Sequence, residues 1–218
     1  MSVYNDEDRV PRAIESILKQ SFENFEFLIV DDCSSDETFT ICNEYQKKDN
    51  RIKLYRNKKN IGLTKSLNFL INQSKFELLA RQDSDDKSHK HRLEKQVNFM
   101  KIKNLDATTT VAHIDTFKKR RPFLSQFFPY KYIINFKNPF IHGSLLIKKD
   151  SIKNLGYYDE RFFYAQDYKL FSDLIKNNYK IKILNNALYT LNVNNNISSN
   201  KKSEQKYYAD CVRKGISP

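Results

Sequence analysis

The stretch that decides the fold runs from Phe76 to Gln96 and reads FELLARQDSDDKSHKHRLEKQ. Its first part, Phe76–Ala80, is mostly apolar and predicts a short buried strand. Three carboxylates packed into four residues follow almost at once, in Asp83-Ser84-Asp85-Asp86. The segment Arg92–Lys103 then predicts a helix, because it carries apolar residues on one face, namely Leu93, Val97 and Met100.

The acidic cluster has two interpretations. Carboxylates this close repel one another unless a cation neutralises them. Hard cations such as Mg²⁺ and Mn²⁺ prefer oxygen ligands and bind together with substrate phosphates. In open α/β sheets ligands gather at the carboxyl ends of strands, where Asp83–Asp86 is expected. The alternative is a solvated acidic turn, which the cluster taken alone favours.

Helices and strands alternate through the first half of the chain. Helical spacing is found in Arg9–Gln20 and Leu63–Gln73, and strand patterns are found in Phe25–Val30 and Ile52–Tyr55. Short oxygen-bearing side chains at Ser34–Glu37 predict a further helix start. This alternation implies right-handed β-α-β crossovers and a mostly parallel sheet.

The second half is less regular. The segment Val111–Lys137 is aromatic and basic, with prolines at 122 and 129. The patterns that follow predict a strand, a short helix, a helix and strand-like stretches, respectively Ser144–Ile147, Asp150–Leu155, Gln166–Asn177 and Ile181–Val193. From Asn194 the chain is polar, and we expect a mobile tail, in which Tyr207 and Tyr208 are candidates for docking on the domain.

Composition narrows the classes of partner and compartment. The chain of 218 residues has 38 basic and 26 acidic residues, a net charge of +12, which suits nucleic acid or an anionic membrane, or reflects scattered solvated lysines. Three cysteines without a paired spacing, Cys33, Cys42 and Cys211, indicate neither disulfides nor zinc and favour a reducing cytoplasm. No apolar run approaches the ~20 residues that span a bilayer, so any membrane contact is expected to be peripheral.

Other acidic residues lie near predicted element ends. Asp31 and Asp32 end a strand and suit either hydrogen bonds to a nucleoside or capping of the next helix. Asp167 lies near a helix start, where a carboxylate is favoured by the helix dipole. Its functional interpretation is a general base that removes a proton from an acceptor hydroxyl.

The histidines carry weaker signals. His142 has no cysteine or serine partner that would suggest a catalytic triad, and a structural role is the more common one for a lone histidine. His89 and His91 follow the acidic cluster at a spacing that suits a metal, although an exposed surface is the simpler expectation.

Several segments, in order, resemble the family 2 glycosyltransferases, the inverting type with the GT-A fold. The residues that carry this resemblance are Ser2–Asn5, Ile29–Asp36 (IVDDCSSD), Asn60–Leu63 with Ser66–Asn68, Arg81–Asp86 with Arg92–Gln96, His142–Ser144, Gly156–Glu160 and Gln166–Leu170. Each segment alone is weak, but their order and spacing match the family across most of the chain.

The resemblance implies an α/β fold of the GT-A type, Rossmann-like, with a mostly parallel sheet flanked by helices. It implies one glycosyltransferase domain over residues 1–195, with a nucleotide-sugar-binding half at 1–103 and an acceptor-binding half at 104–195. Residues 196–218 would be the polar C-terminal tail.

The resemblance also implies roles for matching positions. The nucleotide sugar would be held by Ser2, Tyr4, Asp32, Lys65, Asp83 and Ser84. Asp83 and Asp85 would bind Mn²⁺ or Mg²⁺, and Asp167 would be the catalytic base. Acceptor-side positions would be Asp86, His142 and Gln166. The donor would be a UDP- or dTDP-sugar and the acceptor a glycan or lipid-linked sugar, with the enzyme in the cytoplasm or peripheral at the inner membrane face.

The chain departs from the family pattern at several places. Only Met1 precedes Ser2, where the family has several apolar residues, and Gln166 replaces a glutamate. The stretch Leu191–Asn194 lacks the arginine and histidine found there in the family, and the segment between Gln96 and Pro139 is short.

Two alternatives follow. One is a catalytically impaired or truncated relative with the same fold. The other is a basic nucleic-acid-binding protein, which the carboxylate clusters disfavour, so we expect no nucleic acid partner. The aromatic–basic stretch also suits a membrane-facing lip, with contacts from Phe123, Phe127, Phe128 and Tyr130.

Overall fold

The computed structural model describes residues 1–114, 120–122, 128–193 and 201–218. These residues form two sheets flanked by helices, so the predicted α/β class is confirmed. The helices are α1 (Val10–Leu18), α2 (Thr38–Lys48), α3 (Leu63–Gln73), α4 (Arg92–Lys103), α5 (Tyr130–Ile133), α6 (Lys149–Asn154), α7 (Gln166–Lys176) and α8 (Lys202–Lys214).

The first sheet is parallel, as the alternation of helices and strands predicts. Its order is β1 (Ser2–Val3), β2 (Phe27–Asp31) and β3 (Ile52–Arg56). All of β2 is buried because both of its faces are covered. Phe27 and Ile29 belong to the cluster that α1 completes, whereas Leu28 and Val30 pack with Leu70 of α3. The carboxyl end of this central strand therefore points its aspartates at one edge of the domain.

The second sheet is mixed and is built mostly from the less regular second half of the chain. Its order is β4 (Leu78–Ala80), β8 (Leu146–Lys148), β6 (Ala107–Ile114), β9 (Ile181–Leu191) and β5 (Lys87–Ser88), with β7 (Arg120–Arg121) beside β6. Only β6 and β9 pair in parallel there. β8 enters between β4 and β6 and runs antiparallel to both. The regular alternation of strand and helix, on which the parallel expectation rested, ends at α4.

The C-terminal segment contains a helix that the sequence analysis missed. Residues Lys202–Lys214 form α8, and Cys211 and Val212 are buried in the large core cluster. The Tyr208 ring lies 6.1 Å from that of Phe162 and 5.7 Å from that of Tyr164. The expected mobility is therefore wrong for residues 201–218. The sequence did not reveal the buried face of this helix, because lysines lie between its apolar residues. Residues 194–200 lie outside the described residues.

A cavity of about 520 Å³ lies between the two sheets. Its walls are largely apolar and include Leu28, Leu79 and Leu146. Arg81 and Arg92 also line it, and Arg92 is completely buried. Among the described residues none offers a hydrogen-bond partner to the Arg92 side-chain nitrogens, and burial lowers the pKa of this guanidinium to about 10. The proposed carboxylates do not line this cavity, but Gln82 and Tyr158, which contact the candidate site, do.

Candidate active site

The acidic cluster follows β4, as predicted, and is held by Gln82. The strand itself is not buried as expected, because Leu78 and Leu79 are half-buried and Ala80 is exposed. Asp83 and Asp85 are half-buried, whereas Asp86 is buried. The Gln82 amide donates from Nε2 to the carbonyl oxygens of Asp83 and Asp86, at 2.9 and 3.0 Å. Ser88 Oγ donates in turn to Gln82 Oε1 at 2.6 Å. The turn is therefore an internally braced element rather than a loose solvated loop.

Two residues from β9 and its end complete the support of the cluster. The backbone N–H of Asp83 donates to the Tyr189 hydroxyl at 3.1 Å, and the backbone N–H of Asn192 donates to Asp86 Oδ1 at 2.7 Å. Gly143 lies against the same point. A Cβ added there would lie 2.6 Å from Asp83 Oδ2 and would also clash with the Tyr189 ring. Glycine is therefore required at this close approach.

The electrostatics of the cluster are those of crowded carboxylates. Burial first, then Asp83 and Asp6, raises the pKa of Asp85 to about 6. Burial first, then Asp83 and Asp85, also raises the pKa of Asp86 well above its usual range. Arg81 pairs with Asp83 Oδ1, and Arg9 Nη1 lies 4.0 Å from Asp85 Oδ2. Each of these two arginines offsets only part of the negative charge of the cluster.

The donor chemistry of the pair fits a hard divalent cation. Asp83 and Asp85 offer carboxylate oxygens, and their side chains are 28% and 22% exposed, so both are reachable. Among the described residues no group of three or more His, Cys, Asp or Glu side chains is gathered as a metal site. A cation held by Asp83 and Asp85 would therefore take further oxygens from a bound phosphate or water. His89 and His91 are exposed, as expected, and His91 contacts Ser21 and Glu94 instead.

Asp167 lies in the first turn of α7, where its carboxylate is oriented by Asn138. Asn138 Nδ2 donates to Asp167 Oδ2 at 2.8 Å. The other atom of this amide, Oδ1, accepts the backbone N–H of Phe140 at 3.0 Å, which fixes which way the amide faces. Within the described part of the chain no hydrogen bond reaches Asp167 Oδ1, so this oxygen is available to a ligand. Gln166 precedes it at the helix start and is half-buried.

Half-buried His142 and buried Tyr158 form a pair within electrostatic reach of Asp83 and Asp167. His142 Nε2 and the Tyr158 hydroxyl oxygen lie 2.7 Å apart. Burial, followed by Arg81, lowers the pKa of His142, while Asp83 and Asp167 oppose that change. Burial also raises the pKa of Tyr158. The neutral forms of both side chains are therefore favoured between the acidic cluster and Asp167.

Asp32 has a structural task that the sequence did not indicate. Its Oδ1 accepts from Asn57 Nδ2 at 2.8 Å and from the N–H of Ile61 at 2.9 Å, and its Oδ2 accepts the N–H of Gly62 at 2.8 Å. The buried carboxylate thus shapes the turn that begins α3. Asp31, by contrast, keeps one buried oxygen, Oδ1, to which no residue in the described ranges donates a hydrogen bond. A nucleoside role for Asp32 stays a prediction.

The remaining predicted nucleotide residues lie at separate places along the same edge. Ser2 is half-buried in β1, Tyr4 is 50% exposed directly after it, and Lys65 is exposed in the first turn of α3. The first turn of α1 links this end to the acidic cluster, because Arg12 Nη2 donates to the Asp85 carbonyl at 3.5 Å. The structure thus brings Asp83, Asp85 and Asp86 together, and it shows no direct contact from Ser2, Tyr4 or Lys65 to them.

Several site residues carried little signal in the sequence. Arg81 is an exception, because it lies two residues before Asp83 and its closeness to that carboxylate could be predicted. Asn138, Tyr158 and Tyr189 were not singled out, because their partners are 29, 16 and 106 residues away in the chain. Contacts at such separations leave no local periodicity.

A parallel sheet whose central strand β2 ends in Asp31 lies beside a mixed sheet, and Asp167 lies in the first turn of α7. This fold is of the GT-A type. The family described as glycosyl transferase family 2 matches residues 1–186, and the chain belongs to this family. The resemblance seen in the sequence is thereby confirmed.

Individual relatives agree with this assignment. The chain is 36% identical to the putative glycosyltransferase EpsE of Bacillus subtilis over 161 residues, covering 72% of this chain and 58% of that protein. It is 33% identical to the O-antigen biosynthesis glycosyltransferase WbnJ of Escherichia coli, covering 95% of this chain and 83% of that protein.

Solved structures show the same fold. S. aureus TarS in complex with UDP-GlcNAc superposes with a TM-score of 0.78 at 23% identity, covering 92% of this chain and 59% of that one. The mannosyltransferase PcManGT of Pyrobaculum calidifontis, in complex with GDP-Man and Mn²⁺, gives a TM-score of 0.77 at 16% identity, covering 100% of this chain and 64% of that one. The chain thus spans about three fifths of these solved chains and of EpsE.

Proposed function

We propose that this chain transfers a sugar from a nucleotide-diphosphate sugar to a hydroxyl of a glycan or lipid-linked acceptor, with inversion at the anomeric carbon. The observation that carries the proposal is the braced carboxylate pair Asp83 and Asp85, with Asp167 held by Asn138 as a separate carboxylate. Family membership and solved relatives that contain UDP-GlcNAc or GDP-Man support the donor class.

Each group has a distinct task in this reaction. Asp83 and Asp85 would hold Mn²⁺ or Mg²⁺, which when bound neutralises the diphosphate leaving group. Asp167 accepts the proton of the acceptor hydroxyl through Oδ1, the oxygen that Asn138 leaves available. Because one displacement inverts the anomeric centre, no second carboxylate nucleophile is needed. Ser2, Tyr4, Asp32, Lys65 and Ser84 are proposed to contact the nucleotide sugar, and Asp86, His142 and Gln166 the acceptor side.

The test is release of nucleoside diphosphate by the purified chain with Mn²⁺ and a panel of UDP-, dTDP- and GDP-sugars. Asp85→Ala should abolish cation-dependent binding of the donor, measured by thermal shift. Asp167→Asn should keep donor binding and lose turnover. Glu44→Ala, an exposed carboxylate on α2, is the matched control and should behave like the parent chain.

Failure of the parent chain to bind any of these nucleotide sugars in the presence of Mn²⁺ would refute the proposal. Donor binding without turnover, in the parent as in Asp167→Asn, would instead identify a non-catalytic relative.

A further inference from the structure

One stretch of the chain is free of acidic residues. No Asp or Glu occurs between Asp115 and Asp150, whereas eight Lys and Arg residues and eight Phe and Tyr residues do. The stretch alone therefore contributes +8, against a net charge of +12 for the whole chain. A polyanionic surface that approaches it meets no repelling carboxylate from this segment.

Two aromatic side chains of this stretch point away from the core. Tyr132 is 66% exposed and Phe136 is 76% exposed. They lie one helical turn apart. Helical hydrogen bonds continue past the end of α5, since the carbonyl oxygen of Ile133 accepts the backbone N–H of Lys137. The opposite side of the same turn is occupied, since Ile134 is buried and its carbonyl accepts the Tyr168 hydroxyl at 2.6 Å. The core is thus already filled, and the two rings remain at the surface.

Cationic side chains surround these rings. Lys131 and Lys137 flank them and are exposed. Arg213 of α8 reaches the same place, with Nη1 3.5 Å from the carbonyl oxygen of Phe136. We call this set the aromatic–basic patch, which consists of Phe128, Lys131, Tyr132, Phe136, Lys137 and Arg213. Two segments remote in sequence therefore build one surface.

We propose that the aromatic–basic patch docks on the surface of an anionic lipid bilayer. Tyrosine and phenylalanine rings insert among headgroups, while lysines and arginines contact lipid phosphates. The exposed rings would bury apolar area that now faces water, and Lys131 and Lys137 add attraction that salt screens, whereas Arg213 is paired with Asp210. Within the described ranges no helix is long and apolar enough to cross a membrane, so docking at the surface is the mode that these residues support.

The patch adjoins the candidate site. Lys137 is followed directly by Asn138, the residue that donates to Asp167. Within the reaction proposed above, a bilayer at this face brings a lipid-linked acceptor next to the base. Docking itself is measured without sugar transfer, so it can fail or hold independently of that reaction.

The test is flotation of the purified full-length chain with vesicles. We expect binding to phosphatidylcholine vesicles that contain about one third phosphatidylglycerol, weak binding to pure phosphatidylcholine, and loss of binding as salt rises. Lys131→Glu/Lys137→Glu should reduce binding at least about tenfold. Tyr132→Ser/Phe136→Ser should reduce it even at low salt, because it removes the inserting groups and leaves the charge unchanged.

The matched controls lie on α4. Lys101→Glu/Lys103→Glu makes the same change in net charge on exposed lysines, and Ile102→Ser removes a side chain that is 76% exposed, as Phe136 is. These variants should retain binding close to that of the parent, and circular dichroism checks that every variant folds. Equal losses in control and patch variants, no binding of the parent to anionic vesicles, or binding to single-stranded RNA in place of vesicles would each overturn the proposal.

Discussion

Asn138 and Asp167 are joined by a hydrogen bond of 2.8 Å between Nδ2 and Oδ2, and the same Asn138 amide is anchored through Oδ1 by the N–H of Phe140. Its orientation is therefore set before any ligand binds. Asp167, in the first turn of α7, is held through Oδ2, while its Oδ1 takes no part in this hydrogen bond. A base that works by geometry depends on such support.

Asn138→Ala is expected to lower kcat about tenfold to hundredfold with little change in the KM for the donor, because the carboxylate loses its orienting bond while the nucleotide end is untouched. Steady-state kinetics with a saturating acceptor measures this. Asn135→Ala, at an exposed asparagine in the turn after α5, is the control. On an Asp167→Asn background the Asn138 change should have no additional effect; a full additional loss would show that Asn138 acts through general stability instead.

His142→Asn is expected to flatten the dependence of stability on pH. Because burial lowers the pKa of native His142 below 6.5, the unfolded chain takes up this proton first as pH falls. This contribution to the free energy of unfolding is therefore complete above about pH 6.5 and is lost as pH falls below it. Urea unfolding at about pH 7.5 and pH 5 measures the change. His89→Asn, at an exposed histidine, should keep the parent's slope; equal slopes in the parent and His142→Asn would contradict the assignment.

Gly143→Ala is expected to cost about 1–3 kcal/mol of stability and to weaken cation-dependent donor binding, because a Cβ would displace Asp83 or Tyr189. Thermal unfolding and donor titration with Mn²⁺ measure the two effects. Gly156→Ala separates them. Gly156 has a φ of +80° but open space around its Cβ position, so that variant should lose stability and retain donor affinity. Unchanged donor affinity in Gly143→Ala would remove Gly143 from the site.

Cys33 is expected to be the thiol that reacts with a soluble maleimide in the folded chain. Cys33 is half-buried, whereas Cys42 and Cys211 are buried. Burial, followed by the Asp31 carboxylate, also raises the pKa of Cys42 to about 12, so its reactive thiolate form is scarce. Intact-mass spectrometry should find one label under native conditions and three in denaturant. Rapid labelling of Cys42 in the folded chain would contradict its burial in the cluster between α1 and α2.

The parts of the fold and site that the sequence predicts are those with a local signature. The strand before Asp83, the helix that begins at Gln166 and the burial of Phe27–Asp31 all follow from periodicity. Tyr189 could not be found this way, because its contact with Asp83 depends on β9 pairing with β6 and β5. The hydrogen bonds that Asp32 accepts from Asn57, Ile61 and Gly62 could not be predicted either. Two of these donors are backbone N–H groups, which no residue type indicates in the sequence.

Two features of the fold depend on non-local packing that the sequence pattern does not reveal. The second sheet is mixed because β8 inserts between β4 and β6, an order that strand patterns cannot specify. The helix α8 is ordered because Tyr208, Cys211 and Val212 find a core built by α7 and Phe162. In sequence these residues appear among lysines, and the polar average conceals the buried face.

The contribution of β9 to the acidic cluster has a consequence for synthesis of the chain. Asp83 and Asp86 leave the ribosome early, but the hydroxyl of Tyr189 and the N–H of Asn192 that brace them are made about a hundred residues later. Because the β6–β9 ladder pairs residues 74 apart, such as Thr108 and Lys182, it closes only when β9 has emerged. A nascent chain that ends before β9 would therefore contain every acidic residue of the cluster without the geometry that makes it a site, so competence for donor binding would appear only after β9 is made.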